Sequence, residues 1–173
     1  SDVCSSDLII KPLTELSLEE WQRVISVNLT GAFLFTREAA RVMDHGSSII
    51  NIASQAAKTG FRQMAPYVSS KHGMIGLTRT AAIDLAPQGI RVNAVCPNHV
   101  TTTMGKAQSE YFSSLRGLEP EVYRAQIAER VPLGRVGTPE DTAAAVAFLA
   151  SDEAAFITRS EEHTSELQSR PHI

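Results

Sequence analysis

Apolar residues recur at helical intervals in LSLEEWQRVISVNLTGAFLFTREAARVM, where Trp21, Val24, Ile25, Leu29, Ala32 and Phe33 fall on one face. Ser17 and Glu20 open this stretch in capping-box spacing, so a long amphipathic helix is predicted, ending near Asp44 to Gly46. SSIINIAS then breaks the helical period. It is a short, almost continuous apolar run between polar residues, the pattern of a strand buried on both faces. PYVSSKHGMIGLTRTAAIDLAPQG returns to helix and stops at Pro87 and Gly89, and IRVNAVCP reads as a second buried strand. Residues 105–130 read as two short helices separated around Gly117 to Pro120. In TPEDTAAAVAFLAS, Thr138 is the N-cap and Pro139 the first helical residue. Buried strands alternating with helices predict an α/β fold with a doubly wound parallel sheet. Ligands of such sheets sit beyond the carboxyl ends of the strands, here after Ile52 and after Val95.

Composition narrows the class. At 173 residues, 43% hydrophobic and 20% charged, the chain fits one soluble domain able to bury a core. No apolar run spans a membrane and no secretory leader pattern opens the chain, so a cytoplasmic protein is expected. Cys4 and Cys96 lie far apart without histidines at ligand spacing, which argues against a disulfide framework and against a metal site. A net charge of −3 without a basic block argues against nucleic-acid or membrane-surface partners. Residues 9–158 carry 14 basic and 14 acidic side chains, so the imbalance lies at the ends.

Three places carry candidate chemistry. Tyr67 and Lys71 are four apart at a helix start and share a face. A phenol beside an ammonium is a candidate acid/base, because a nearby positive charge draws tyrosine's pKa from near 10 toward neutrality. An exposed helix pair has the same spacing. Ser54, at the carboxyl end of the first strand, can donate to a carbonyl oxygen in the crevice or be a plain loop serine. Asn28 interrupts an apolar helical stretch, either as a structural hydrogen-bonder or as part of a polar network reaching the crevice.

In order and spacing, NLTG, IINIAS, YVSSKHGMIGLTR, IRVNAVCP and VTTTM resemble the short-chain dehydrogenase/reductase family, over essentially all of residues 9–158. The resemblance implies a Rossmann-type sheet and an NAD- or NADP-dependent oxidoreductase interconverting a small alcohol and a carbonyl. It implies that Tyr67 exchanges a proton with the substrate oxygen, that Lys71 lowers the pKa of Tyr67 and bonds the nicotinamide ribose, and that Ser54 polarises the carbonyl. Asn28 would hold a water relaying protons from Lys71. Pro97, Val100 and Thr102 match the segment that contacts the nicotinamide. Homo-oligomers are implied, through the helices beginning near Ser17 and Pro66. A non-catalytic relative that binds a ligand or partner is the rival reading, and a scaffold role is a third.

The chain departs from the family pattern in several places. Asn98 stands where the family has glycine, and asparagine tolerates the positive φ such a turn would need. His99 beside it is a substrate contact or a solvated loop residue. Tyr111, Phe112 and Leu115, in the segment matching the family's substrate-covering loop, either meet a ligand or pack helices. The Gly-rich pyrophosphate turn is missing, as is the final strand expected after Thr158. RSEEHTSELQS, Arg159 to Ser169, resembles the conceptual translation of a widely used short-read sequencing adapter, and SDVCSSDL, Ser1 to Leu8, that of its reverse complement. Residues 1–8 and 159–173 are therefore expected to lie outside the fold, leaving 9–158 as an incomplete domain.

Overall fold

The structure, a computed structural model, describes residues 7–163. Helix α1, Leu18–Ile25, begins at Ser17 with the reciprocal capping box: Glu20 N–H donates to Ser17 Oγ and Ser17 N–H to the Glu20 carboxylate. It runs through a π-helical turn, Ser26–Thr30, into α2, Gly31–Val42. The long predicted helix is therefore present, but with a widened turn in its middle that places Asn28 inward, where it is buried.

Strand β1, Ser48–Ile52, is followed by α3, Ala65–Leu85, and by β2, Arg91–Cys96. Gly89, at φ 72°, makes the left-handed turn that sends the chain from α3 into β2. Next come α4, Thr103–Leu115, and α5, Pro120–Arg130, the two short helices expected around Gly117 to Pro120. Helix α6, Pro139–Ala150, starts on the predicted Thr138 N-cap, and a short strand β3, Glu161–His163, closes the order.

The sheet has the order β1-β2-β3, with both pairings parallel. Side chains alternate across it. Ile49, Val92, Ala94 and Cys96 pack toward α3, whereas Ile50 and Val95 pack with Leu149, Ala145 and Val146 of α6. Helices thus cover both faces, as a doubly wound sheet requires. All six residues of β2 are buried, as expected of a central strand. β1 is not: its first three residues are half-buried and Ile52 is 44% exposed. Among the described residues β1 pairs with β2 alone, so its outer edge stays open and the expectation of a strand buried on both faces fails there.

The expected outer limits of the fold also move. Asp7 ion-pairs Arg23, and Leu8 packs against the cluster of Val24, Met64 and Tyr67. At the other end, Arg159 N–H donates to Val92 O at 2.8 Å, Ala94 N–H donates to Ser160 O at 2.9 Å, and Glu161–His163 pairs with Ala94 to Cys96. The physical reason is that a strand edge offers unpaired amides and carbonyls, which any extended backbone satisfies whatever its side chains. Residues 1–6 and 164–173, including Cys4, lie outside the described residues.

Two buried side chains of β2 tie this last segment down. Arg91 donates to Leu149 O at 2.7 Å and Ser151 O at 3.2 Å, capping the carbonyl end of α6. Asn93 donates to Ile157 O and accepts from Ser160 N–H. Replacing Arg91 with methionine keeps the aliphatic stem but removes both charged donors, while Leu149 O keeps Ser48 Oγ and Ser151 O keeps Ala154 N–H. It is expected to cost about 2 kcal/mol, measured by chemical denaturation of the protein.

Candidate active site

Beyond β1 and β2 the two chains stay paired. Ala53 N–H donates to Val95 O and Gln55 N–H to Pro97 O, both at 2.8 Å, so Ser54 is carried beside the Pro97 segment. Ser54 Oγ also accepts from Ala56 N–H, capping the turn Gln55–Ala57. Tyr67 enters from the first turn of α3 and packs with Ala56, two residues beyond Ser54. One turn later Lys71, 1% exposed, donates from Nζ to Ile52 O at 3.0 Å, and its Nζ lies 5.6 Å from the centre of the Tyr67 ring. Helix α3 thus delivers Tyr67 and Lys71 to the carboxyl end of the sheet, and the exposed-pair reading falls.

The electrostatics differ from the sequence expectation. Burial drives the Tyr67 phenol above its ordinary value, while a hydrogen bond from the Ser54 hydroxyl pulls the other way. Burial lowers Lys71 to about 8, with Cys96 opposing. A depression of the Tyr67 pKa by Lys71 is therefore not what this structure shows, because desolvation dominates at both groups.

Asn28 occupies the π-turn opposite α3. Its Oδ1 accepts from Asp7 N–H at 2.8 Å, and Nδ2 donates to Asp7 O at 2.9 Å and to Ser70 Oγ at 3.1 Å. Ser70 Oγ in turn donates to Tyr67 O at 2.7 Å. Both amide hydrogens of Asn28 are spent on fastening the N-terminal segment to the turn of α3 that carries Tyr67. Ser70 carries no signal in the sequence, having no chemistry of its own at that spacing, and Asp7 lies in the segment expected to fall outside the fold.

A cleft of about 890 Å³ opens here, its walls including Ser54, Tyr67, Pro97, Val100 and Thr102, the residues matched to chemistry and to nicotinamide contact. Lys71 lies behind this wall. Thr102 Oγ1 accepts from Gly105 N–H as the N-cap of α4, leaving its own proton to donate. Gly105 is required by crowding: an added Cβ would stand 2.2 Å from Val100 O. A parallel bridge between Val100 and Gly137, with Gly137 N–H donating to His99 O, fixes the loop from behind. Asn98 does not take positive φ, because this pinned course suits an ordinary residue, so the expected left-handed turn is absent. Its Nδ2 is buried without a partner, a donor that a ligand acceptor or a water would satisfy. His99 lines the cleft and is lowered by burial, so it is neutral at pH 7.

The far wall comes from the α4–α5 hairpin, through Gln108, Glu110, Glu121, Arg124 and Ile127 among others. Tyr111, Phe112 and Leu115 do not line it. Phe112 packs with Met64 and Tyr67, Tyr111 OH donates to Gln63 Oε1 at 3.0 Å, and Leu115 is exposed. Helix packing is therefore the reading that holds for Tyr111 and Phe112. Gln63, just ahead of α3, has φ 63°, a left-handed backbone that costs a non-glycine residue about 1 kcal/mol. Among the described residues no group of three or more His, Cys, Asp or Glu is placed to hold a metal, and no helix is long and apolar enough to cross a membrane.

Comparison with known proteins bears on the family and the fold. A family model described as enoyl-(acyl carrier protein) reductase matches residues 3–164. The rat protein (3R)-3-hydroxyacyl-CoA dehydrogenase is 42% identical over 149 residues, covering 84% of this chain and 53% of its own length. The chain thus spans about half the length of that curated relative. Among solved structures, actinorhodin polyketide ketoreductase with NADPH superposes with a TM-score of 0.85 at 35% identity, covering 92% of this chain and 62% of that one. NAD+-bound xylitol dehydrogenase gives 0.84 at 33% identity, covering 91% and 64%. With the ordered motifs, the α/β topology and these matches in agreement, the chain belongs to the short-chain dehydrogenase/reductase family.

Proposed function

We propose that the full-length protein is an oxidoreductase that interconverts a small alcohol and a carbonyl with NAD or NADP. The observation that carries this reading is the placing of Ser54 and Tyr67 together in the cleft wall, beside Pro97, Val100 and Thr102, with Lys71 buried one turn behind. A nicotinamide cofactor, when bound, supplies or accepts the hydride at carbon. The protein's residues handle the oxygen. In reduction the Tyr67 phenol donates its proton to the carbonyl oxygen as the carbon gains hydride, and the reverse transfer serves oxidation. Ser54 donates a second hydrogen bond to that oxygen and stabilises its developing charge.

Lys71 supplies a buried positive charge behind the phenol and, as the family resemblance implies, bonds the nicotinamide ribose. Asn28, through Ser70, holds the turn of α3 that carries Tyr67, and with both amide hydrogens engaged only its oxygen atoms are left for the water-relay role the resemblance implies. Thr102 and Asn98 offer the donors suited to a carboxamide oxygen, so the residues present fit a nicotinamide. A phenol held above its ordinary pKa is protonated at pH 7, which suits the reducing direction. The test is direct. Full-length protein should oxidise NADH or NADPH in the presence of a ketone or 3-oxoacyl thioester, and absence of turnover with every carbonyl class and both nucleotides would sink the reading.

The same reading makes the protein cytoplasmic and a homo-oligomer. Phe35 and Val42 on α2 and Ile83 on α3 are 66%, 80% and 59% exposed, an apolar surface suited to a second copy. We further propose that residues 1–8 and 159–173 are translated adapter around an incomplete domain, inactive as it stands. Long-read sequencing across the codons for Leu8 and Thr158 tests this: native codons identical to those encoding the present ends would overturn it.

A further inference from the structure

Gln63, beside the cleft, combines a strained backbone with a side-chain bond to the helical hairpin. Its φ is 63°, and a non-glycine residue keeps such a conformation where neighbours over-determine it. Two neighbours do so. Lys11 N–H donates to Gln63 O at 2.8 Å, fixing the backbone from the N-terminal segment. Tyr111 OH donates to Gln63 Oε1 at 3.0 Å, reaching from the middle of α4. One residue on, Gln108 Nε2 approaches Met64 Sδ at 3.7 Å, and Phe112 packs on Met64 and Tyr67.

Neither Gln63 nor Tyr111 lines the cleft, yet each is covalently next to what does. Met64 and Tyr67 follow Gln63, while Gln108, Ser109 and Glu110 precede Tyr111. The α4–α5 hairpin packs chiefly on itself, and Gly117, at φ 63°, forms its bend. The Tyr111–Gln63 bond, the shorter of two polar contacts at this corner, is therefore well placed to set how far the hairpin stands from the start of α3.

We propose that Gln63 and Tyr111 form a latch that holds the α4–α5 hairpin against the start of α3, and so act as positioning residues for substrate retention. The proposal rests on the oxidoreductase reading for its kinetic consequence but not for its structural one. The side-chain carbonyl of Gln63 accepts from Tyr111, and neither residue lines the cleft, so the latch costs it no lining surface.

The test is Tyr111→Phe in the full-length protein, which removes one oxygen and keeps the ring and its edge-on packing with Phe112. KM is expected to rise about 5-fold, with kcat held within about 2-fold, the change that losing one net hydrogen bond produces. Amide hydrogen exchange across residues 103–130 should quicken by about the same factor, with no change in β2. Gln63→Ala should match it, and the double variant should be no worse than either single one. Unchanged exchange in α4 and α5 would overturn the latch whether or not the enzyme assay succeeds. So would additive effects, or a fall in kcat at constant KM, which would move Tyr111 into the chemistry. If Gln63→Ala fails to fold, Tyr111→Phe alone still decides. Absent turnover with quickened exchange keeps the latch and removes the oxidoreductase reading.

Discussion

Tyr67→Phe in the full-length protein is expected to lower turnover by about 10³-fold while leaving nicotinamide nucleotide affinity within about 2-fold of the parent value. The substitution deletes a single oxygen from a side chain that is 9% exposed and packed among Val24, Ala56 and Met64, so the ring and its surroundings stay in place. What goes is the group proposed as proton donor at the substrate oxygen. The loss should fall on kcat rather than on binding, since the phenol's contribution grows as charge develops on that oxygen. Stopped-flow turnover together with a nucleotide fluorescence titration measures both quantities. Parent-like turnover would remove Tyr67 from the chemistry and leave a ligand-binding relative as the reading.

Lys71→Met carries the second large effect, and stability and activity should part company. The folded-state value of Lys71, about 8, lies below the 10.5 of a free lysine because burial penalises the ammonium. Between those values the unfolded chain holds a proton that the folded chain has released, so stability rises with pH through that window. Below about 8 the full cost of roughly 3 kcal/mol is present. Methionine removes the cost but leaves Ile52 O without this donor, a penalty of about 1–3 kcal/mol. The variant is therefore expected to lie within about 2 kcal/mol of the parent at pH 6, far from an ordinary core truncation. It should also lose the parent's gain in stability between pH 8 and 10, as read from denaturant midpoints. Turnover should drop by about 10²-fold, because the charge behind the phenol is gone. A variant much less stable at pH 6 with near-normal turnover would make Lys71 a structural residue.

Much of this was legible from local pattern. The capping box at Ser17 and Glu20, the Thr138 N-cap with Pro139, and the break at Gly89 are read correctly from sequence because each is set by residues within one turn of it. The same holds for the Tyr67–Lys71 face of α3, which follows from helical spacing alone. Ser54 was placed at the strand end by its sequence neighbours, but as a candidate with no partner.

What the sequence by itself determined, then, is the alternation of helices and strands and the shared face of Tyr67 and Lys71, since short-range periodicity and capping encode them, whereas the roles proposed for these side chains rest on the family resemblance. Only the tertiary structure decided their state. Desolvation by distant segments raises the phenol of Tyr67 and lowers the ammonium of Lys71, against the expectation drawn from the pair in isolation. The π-turn that buries Asn28, and its bonds to Asp7 and Ser70, join residues 21 and 42 positions apart. Backbone pairing at the open side of β2 draws Glu161–His163 into the sheet although their side chains carry no strand signal. Burial, edge pairing and long-range bonds depend on which segments meet, and that is a property of the folded chain rather than of any window along it.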